Sequence, residues 1–383
     1  MIAKDQILII YKDQKIVTKN QEFWNDKFSN KFNVNHLYLY DYIHLTNKNI
    51  IDVIKKKISE LKVDKIMFEG DHLSLIDYNF IKSIEGNIKK GLFCGDDTEW
   101  HQVNLLTGCA CDFVLTDPVS SLKFNELGIR SIFSTIEAND NIFKDYKLEK
   151  EIDVLFFGRD KTDRKDYINL LKENNINYLS VNPYLEISDT MEKLAKLINK
   201  SKIVINLTKS SNGSRYYNPS SSLKYGYFFK GRIIMVGMCN SLCVSEYAPS
   251  VKLLFPNNEL PTFSSKKEFL EIVKDYLNNK QKLVEDTKKY HLSSMKYSDK
   301  NYVNKLYEFI NEIKKKDEIE VKIPIWYYYL TIRQHFRLRA KFIKIKSFFL
   351  QFFENFQLPI YTYPINILFF LRFLPNLIFK KIF

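Results

Sequence analysis

Twice along these 383 residues, short apolar β-rich runs alternate with segments of helical spacing, and that alternation restricts the chain to parallel sheets covered by helices. In the first pass the runs are Ile7–Ile10, His36–Tyr40, Lys65–Glu69, Gly91–Cys94 and Phe113–Thr116, with helical patterns over Ile50–Leu61 and Pro118–Leu127. Pro118 stands where a helix start tolerates a missing N–H. The second pass runs through a strand Asp153–Phe157, a helix near Arg164–Asn174, a strand Ile176–Ser180, a helix Thr190–Asn199 and a strand Lys202–Leu207. Helices near Lys266–Asn278, Lys280–Leu292 and Asp299–Lys316 close it, the last packing back across the first domain. Between the two passes, Asp145–Glu151 is charged and aperiodic, as a linker is. The expected fold is α/β, with two Rossmann-like domains built on parallel sheets over residues 1–146 and 147–316 and a basic, aromatic helical tail over 317–383.

Several function classes fall away. No G-x-G-x-x-G follows the first strand and no Walker sequence occurs, so dehydrogenase and P-loop chemistry are not expected. The net charge of +13 is unevenly placed: residues 322–383 hold ten Lys/Arg against the single acid Glu354, leaving the first 321 residues near balance at +4. A nucleic-acid-binding body would spread its cations over a domain face, so no nucleic-acid partner is expected. The five cysteines, Cys94, Cys109, Cys111, Cys239 and Cys243, are odd in number and sit in strand-like surroundings, as reduced core thiols do. A zinc site from Cys94, His101, Cys109 and Cys111 would need C-x-C in place of the usual C-x-x-C, so no metal is expected. The N-terminus, Met1 to Gln6, lacks the long apolar stretch of a secretory signal.

The most informative segment is Phe229–Phe255. Lys230 and Arg232 precede an apolar run, a small-residue break follows at Cys239-Asn240-Ser241, and a short strand then delivers Ser245 and Glu246 into a turn at Tyr247-Ala248-Pro249-Ser250. In open α/β sheets ligands sit beyond the carboxyl ends of the strands, where two cations and an acid reach one anion-bearing ligand such as a sugar nucleotide. A guanidinium and an ammonium neutralise a pyrophosphate leaving group without a metal. The plainer alternatives are exposed charges ending a helix Ser220–Phe229, and a Glu246 that caps the following turn. Upstream, Gly158 permits close backbone approach after its strand and Arg164 opens the next helix near where a diphosphate would lie. The polar loop Thr208–Pro219 offers sugar or nucleobase contacts, or is a plain surface loop.

At the end of an N-terminal strand, Phe93-Cys94-Gly95-Asp96-Asp97-Thr98-Glu99-Trp100-His101 places two carboxylates and a histidine within reach of an acceptor hydroxyl. Asp96 or Asp97, with His101, is the candidate general base. The alternative is that Asp97 or Thr98 only caps the next helix. His72 is a second strand-end candidate.

The layout K-G-R, apolar run, small-residue break and S-E-Y-x-P resembles the donor domain of the CgeB-like (spore-maturation protein-like) glycosyltransferases, a GT-B group of family 1/4-type. Asp153–Gly158, Asp163-Arg164 and Ser201–Leu207 fall in the same order, so the resemblance covers roughly residues 90–310. It implies a nucleotide-sugar donor held by Gly158, Arg164, Lys230, Arg232, Ser245 and Glu246, an acidic loop near Asp96 facing the interdomain cleft, and no cofactor. The chain departs from the family's R-x-x-E at Met235, where a thioether replaces the carboxylate that would accept hydroxyl hydrogen bonds. That departure keeps a second expectation open, a GT-B scaffold with weak or no catalysis.

From Ile323 onward, Arg333, Arg337, Lys341 and Lys344 share one helical side and Phe336, Ala340, Ile343 and Ser347 another. The longest uncharged run, Asn355–Leu371, carries Pro359 and Pro364 and makes a poor spanning helix. The expectation is a peripheral anchor on an anionic membrane at its cytoplasmic face, near a glycan or lipid-linked acceptor. The alternatives are a helical lid packed on the protein and RNA binding.

Overall fold

The computed structural model describes residues 5–11, 27–70, 75–95, 97–134, 138–158, 163–182, 191–208, 227–314, 321–341 and 344–382. In chain order they form strands β1 (Asp5–Tyr11) and β2 (Phe32–Tyr38), helix α1 (Asn47–Leu61), β3 (Lys65–Glu69), α2 (Tyr78–Lys82), β4 (Lys89–Phe93), α3 (Asp97–Gly108), β5 (Phe113–Thr116), α4 (Pro118–Glu126) and β6 (Arg130–Phe133). There follow β7 (Ile152–Phe157), α5 (Asp163–Glu173), β8 (Tyr178–Val181), α6 (Met191–Asn199), β9 (Ser201–Asn206), α7 (Arg232–Met238), β10 (Leu242–Glu246), α8 (Pro249–Leu254) and β11 (Thr262–Phe263). The remainder is helical: α9 (Lys266–Asn278), α10 (Lys280–Met295), α11 (Asp299–Glu312), α12 (Ile325–Lys341), α13 (Ile345–Glu354) and α14 (Tyr363–Ile382).

The chain divides into two compact units, one of Met1–Thr116, Ser120–Phe133 and Tyr307–Phe383, the other of Asp117–Val119 and Ser134–Leu306. Each holds a parallel sheet, in the order β2-β1-β3-β4-β5-β6 in the first and β11-β10-β9-β7-β8 in the second. Both orders reverse direction beside the first strand of the unit, between β1 and β3 and between β7 and β9. Those are the points where open α/β sheets bind ligands. The two-sheet α/β class is as the alternating pattern predicts.

Two boundaries differ from the sequence reading. The second unit starts at Ser134, not 147, because residues 138–146 are fastened to it. The Tyr146 N–H donates to Asn199 Oδ1 at 2.7 Å, Asn199 Nδ2 donates to the Lys144 carbonyl, and the Asp299 N–H donates to the Ala138 carbonyl. The larger correction is at the other end: residues 317–383 are no separate tail but part of the first unit. The end of α11 already lies on that unit's sheet, with Tyr307 5.1 Å from Phe32 and Lys89 Nζ on the Asn311 carbonyl. Further along, Leu338 belongs to the core built on Leu37, Ile43, Ile50 and Phe68. The Tyr327 hydroxyl accepts from the Tyr78 N–H at 2.8 Å and meets Thr107 Oγ1 at 2.9 Å.

Helix α1 shows why the segment is integral. The first N–H groups of a helix lack intrahelical partners. Thr46 Oγ1 takes one, but the Asn47 N–H donates to Gln351 Oε1 at 3.0 Å and the Lys48 N–H to Glu354 Oε1 at 2.7 Å. A carboxylate there also favours the positive end of the helix dipole. Arg339, fully buried, donates to the Leu45 carbonyl and to Asn47 Oδ1, both at 2.9 Å. Burial lowers its pKa to about 10, so it still carries its charge at neutral pH.

Candidate functional site

At the β7/β9 reversal of the second unit, the carboxyl ends of three strands converge with the start of α7. Gly158 follows β7 at φ +151°, a conformation that side chains rarely adopt, and its N–H donates to the Val181 carbonyl. Arg232, the first residue of α7, reaches across so that Nη1 donates to the Phe157 carbonyl at 2.6 Å, with the guanidinium 4.9 Å from the Phe157 ring centre. A Cβ on residue 158 would come within 3.1 Å of Arg232 Nη2. Gly158 and Arg232, 74 positions apart, are thus one feature, a cation set against a strand end whose glycine leaves room beside it. Lys230 is half-buried, its ammonium 5.4 Å from the Phe228 ring centre. Arg164 lies in the first turn of α5 and is half-buried.

The acid at the end of β10 reaches across to the end of β9. Glu246 is buried, and its Oε2 accepts from the Thr208 N–H at 2.9 Å and from Thr208 Oγ1 at 3.1 Å. It therefore pins the chain where it leaves β9. Ser245 is turned inward, accepting from Asn206 Nδ2 and donating to the Glu246 carbonyl, both at 2.8 Å. Its hydroxyl is fully buried in that pairing, which suits a positioning role. Beside Thr208, Tyr227 and Tyr247 form an edge-on aromatic pair with centres 6.3 Å apart, each 43% exposed. Residues 209–219 of the expected ligand loop lie outside the described residues.

The apolar run after Arg232 is the helix α7, buried from Ile233 to Met238. A wholly buried helix and a buried strand carry the same unbroken apolar pattern, so periodicity does not separate them. The helix packs so closely on α10 that a Cβ at Gly237 would overlap Ser294, and the Tyr290 hydroxyl donates to the Ile233 carbonyl. Met235 sits within this packing, 4% exposed. Met235→Glu is therefore expected to lower stability by about 2 kcal/mol or more, through an unpaired buried carboxylate, and to show as an earlier urea midpoint. An unshifted midpoint would mean the new carboxylate finds solvent or a cation.

In the first unit, α3 carries Asp97 and His101. Asp97 is 1% exposed. Its Oδ2 lies 2.8 Å from His101 Nδ1, and its Oδ1 accepts from Asn104 Nδ2 at 2.6 Å. Positions i, i+4 and i+7 share one helical face, so these three side chains form a single line. A buried carboxylate held at both oxygens is an orienting group. Because a carboxylate only accepts, the Nδ1 facing it is the donor of the pair, and Nε2 is the ring's other nitrogen. The His101 ring packs edge-on against Phe124 and its side chain stays 17% exposed. Asn104 was missed by sequence reasoning, although its spacing from Asp97 would have shown it once the stretch was read as a helix. Asp96 and His72 lie outside the described residues.

All five cysteines are free, and burial pushes the Cys239 and Cys243 thiols up to about 12. No group of three or more His, Cys, Asp or Glu side chains among the described residues could hold a metal ion. His101, the histidine of the zinc set considered above, is engaged by Asp97.

Comparison with known proteins agrees with this geometry. Residues 150–290, which contain the whole β7–β10 edge, match the Glycosyl transferase-like family. No curated protein matches by sequence. Among solved structures, the chain is similar to sucrose-phosphate synthase from Thermosynechococcus elongatus, with 8% identity, a TM-score of 0.54, and 81% of this chain and 99% of that one covered. It is similar to HepE from Anabaena in complex with UDP, with 10% identity, a TM-score of 0.52, and 80% and 99% covered. It is also similar to UDP-GlcNAc 2-epimerase from Neisseria meningitidis bound to UDP-GlcNAc, with 9% identity, a TM-score of 0.52, and 80% and 100% covered. At such identities the likeness is one of fold, and that fold is GT-B.

Proposed function

We propose that this chain is a nucleotide-sugar-dependent glycosyltransferase of the CgeB-like kind. It would transfer a sugar to a hydroxyl of a glycan or lipid-linked acceptor in cell-surface polysaccharide synthesis, as a peripheral protein on the cytoplasmic face of a membrane. The observation that carries the reading is Arg232 on the Phe157 carbonyl beside Gly158, at the β7/β9 reversal and inside the stretch matching the Glycosyl transferase-like family. The donor's diphosphate would meet Arg232, with Lys230 and Arg164 adding positive charge, so the leaving group is neutralised by side chains and needs no metal. Tyr227 and Tyr247 offer exposed rings to the base or sugar. Glu246 and Ser245 act by holding Thr208 and Asn206 in place.

In the reaction, the bond between the anomeric carbon and the diphosphate oxygen breaks and one to the acceptor oxygen forms. The acceptor's proton passes to His101 Nε2, with Asp97 stabilising the imidazolium. The second reading, a GT-B scaffold without turnover, is favoured by Met235, and a panel of nucleotide sugars separates the two. Donor-dependent release of nucleoside diphosphate supports the enzyme, and binding without release supports the scaffold. Arg232→Ala is expected to weaken UDP binding by calorimetry about ten- to hundredfold, the loss of one charge-assisted contact of about 1.5–3 kcal/mol. Unchanged affinity would remove Arg232 from the site.

A further inference from the structure

The C-terminal helices carry a surface that the fold leaves uncovered. On α13, Lys346, Phe349, Leu350 and Phe353 are exposed while Ser347, Phe348 and Gln351 are buried. On α14, Pro364, Ile367, Leu368, Leu371, Arg372, Pro375 and Asn376 are exposed, spaced three and four apart as one stripe. A helix apolar on every side is ordinarily buried, and α14 is buried on only one. Its inner side packs through Phe369 on Tyr329 and through Phe370 on Phe352, and Phe370 also meets Phe349 of α13, their ring centres 5.3 Å apart. Exposure reaches 65% at Phe353, 59% at Leu371 and 78% at Ile360 in the intervening turn.

We propose that this face of α13 and α14, with the Ile360-Tyr361 turn, is the docking surface for an anionic lipid bilayer on which the protein lies. Charge selects that occupant. Apart from the buried Arg339, residues 322–383 carry nine cations, with Lys346 and Arg372 on the exposed face, and their one acid, Glu354, is committed to the Lys48 N–H. A second copy would bring the same excess of positive charge to the interface, whereas an anionic headgroup layer complements it. Among the described residues no helix is long and apolar enough to cross a membrane, which fits apolar side chains dipping between headgroups with cations at the rim. Gln351 and Glu354 fasten α13 to the start of α1, and Asn366 ties α14 to Asn355 and to the Phe352 carbonyl. This inference rests on the membrane part of the reading above and is independent of the donor chemistry.

The test is flotation of the full-length protein with phosphatidylcholine vesicles, with and without phosphatidylglycerol, alongside light scattering without lipid and calorimetry with UDP. The protein is expected to float with anionic vesicles, to be released by salt and alkali, and to bind neutral vesicles about tenfold or more weakly. Phe353→Asp combined with Leu368→Asp and Leu371→Asp should lower anionic-vesicle binding at least about tenfold while leaving UDP affinity and the melting temperature unchanged. Lys346→Glu with Arg372→Glu, which leaves the apolar stripe intact, should reduce binding to anionic vesicles alone. Equal flotation of both variants and wild type would overturn the proposal, as would retention of the wild type after alkaline extraction. So would a wild type that ignores vesicles but self-associates through these residues.

Discussion

Ending the chain after Asp317 is expected to unfold the first unit. The truncation removes Leu338 from the core, the Tyr327 hydroxyl from the Tyr78 N–H, and both side chains that receive the first N–H groups of α1. Large buried apolar side chains contribute about 1.5–3 kcal/mol each, hydrogen bonds to charged groups about 1.5–3, and a helix cap about 1. Their sum is of the order of the about 5–15 kcal/mol that stabilises a whole domain. The melting profile of the truncated protein should lose one transition, and its near-UV circular dichroism should fall in proportion. Tyr327→Phe is the graded version: it strips the partner from the buried Tyr78 N–H and should cost about 1–3 kcal/mol without abolishing folding. A truncated protein melting like the full chain would mean the first unit's core is complete without α12 to α14.

His101→Ala is expected to lower turnover by about 10²–10⁴-fold while UDP affinity and melting temperature stay put, as removal of a general base does. Asp97→Asn should be nearly as severe, for a reason visible in the hydrogen bonds. Asn104 Nδ2 needs an acceptor, so an amide at position 97 would turn its oxygen to Asn104 and its NH2 to His101 Nδ1. The imidazole then carries its proton on Nε2 and has no lone pair for the acceptor. Asn104→Ala frees the carboxylate to keep His101 in its working tautomer and should be much milder. Turnover in Asp97→Asn equal to wild type would show that His101 is not oriented for catalysis by its neighbour.

Much of the architecture is legible without coordinates. The β-rich runs at Ile7–Ile10, Lys65–Glu69 and Lys202–Leu207 coincide with strands because a strand buried on both faces must be apolar throughout. Strand-end positions follow from that register, which is why Gly158, Ser245, Glu246 and the stretch before His101 stand out in the sequence as edge residues. The short strand β6 and the two-residue β11 escape notice because so few residues form no period.

What the edge residues do was decided by the fold. Local pattern encodes how deeply a residue is buried, not which partner it finds, since partners are chosen by the path of the chain in space. Arg232 docks on a carbonyl 75 positions away, Glu246 accepts from Thr208, and Asp97 is paired with His101. The same reason accounts for the last helices. Their cations and aromatics are plain in the sequence, but that Glu354 caps a helix 306 residues earlier, leaving Phe353 and Leu371 outward, follows only from the tertiary packing of α12 to α14 on the first unit.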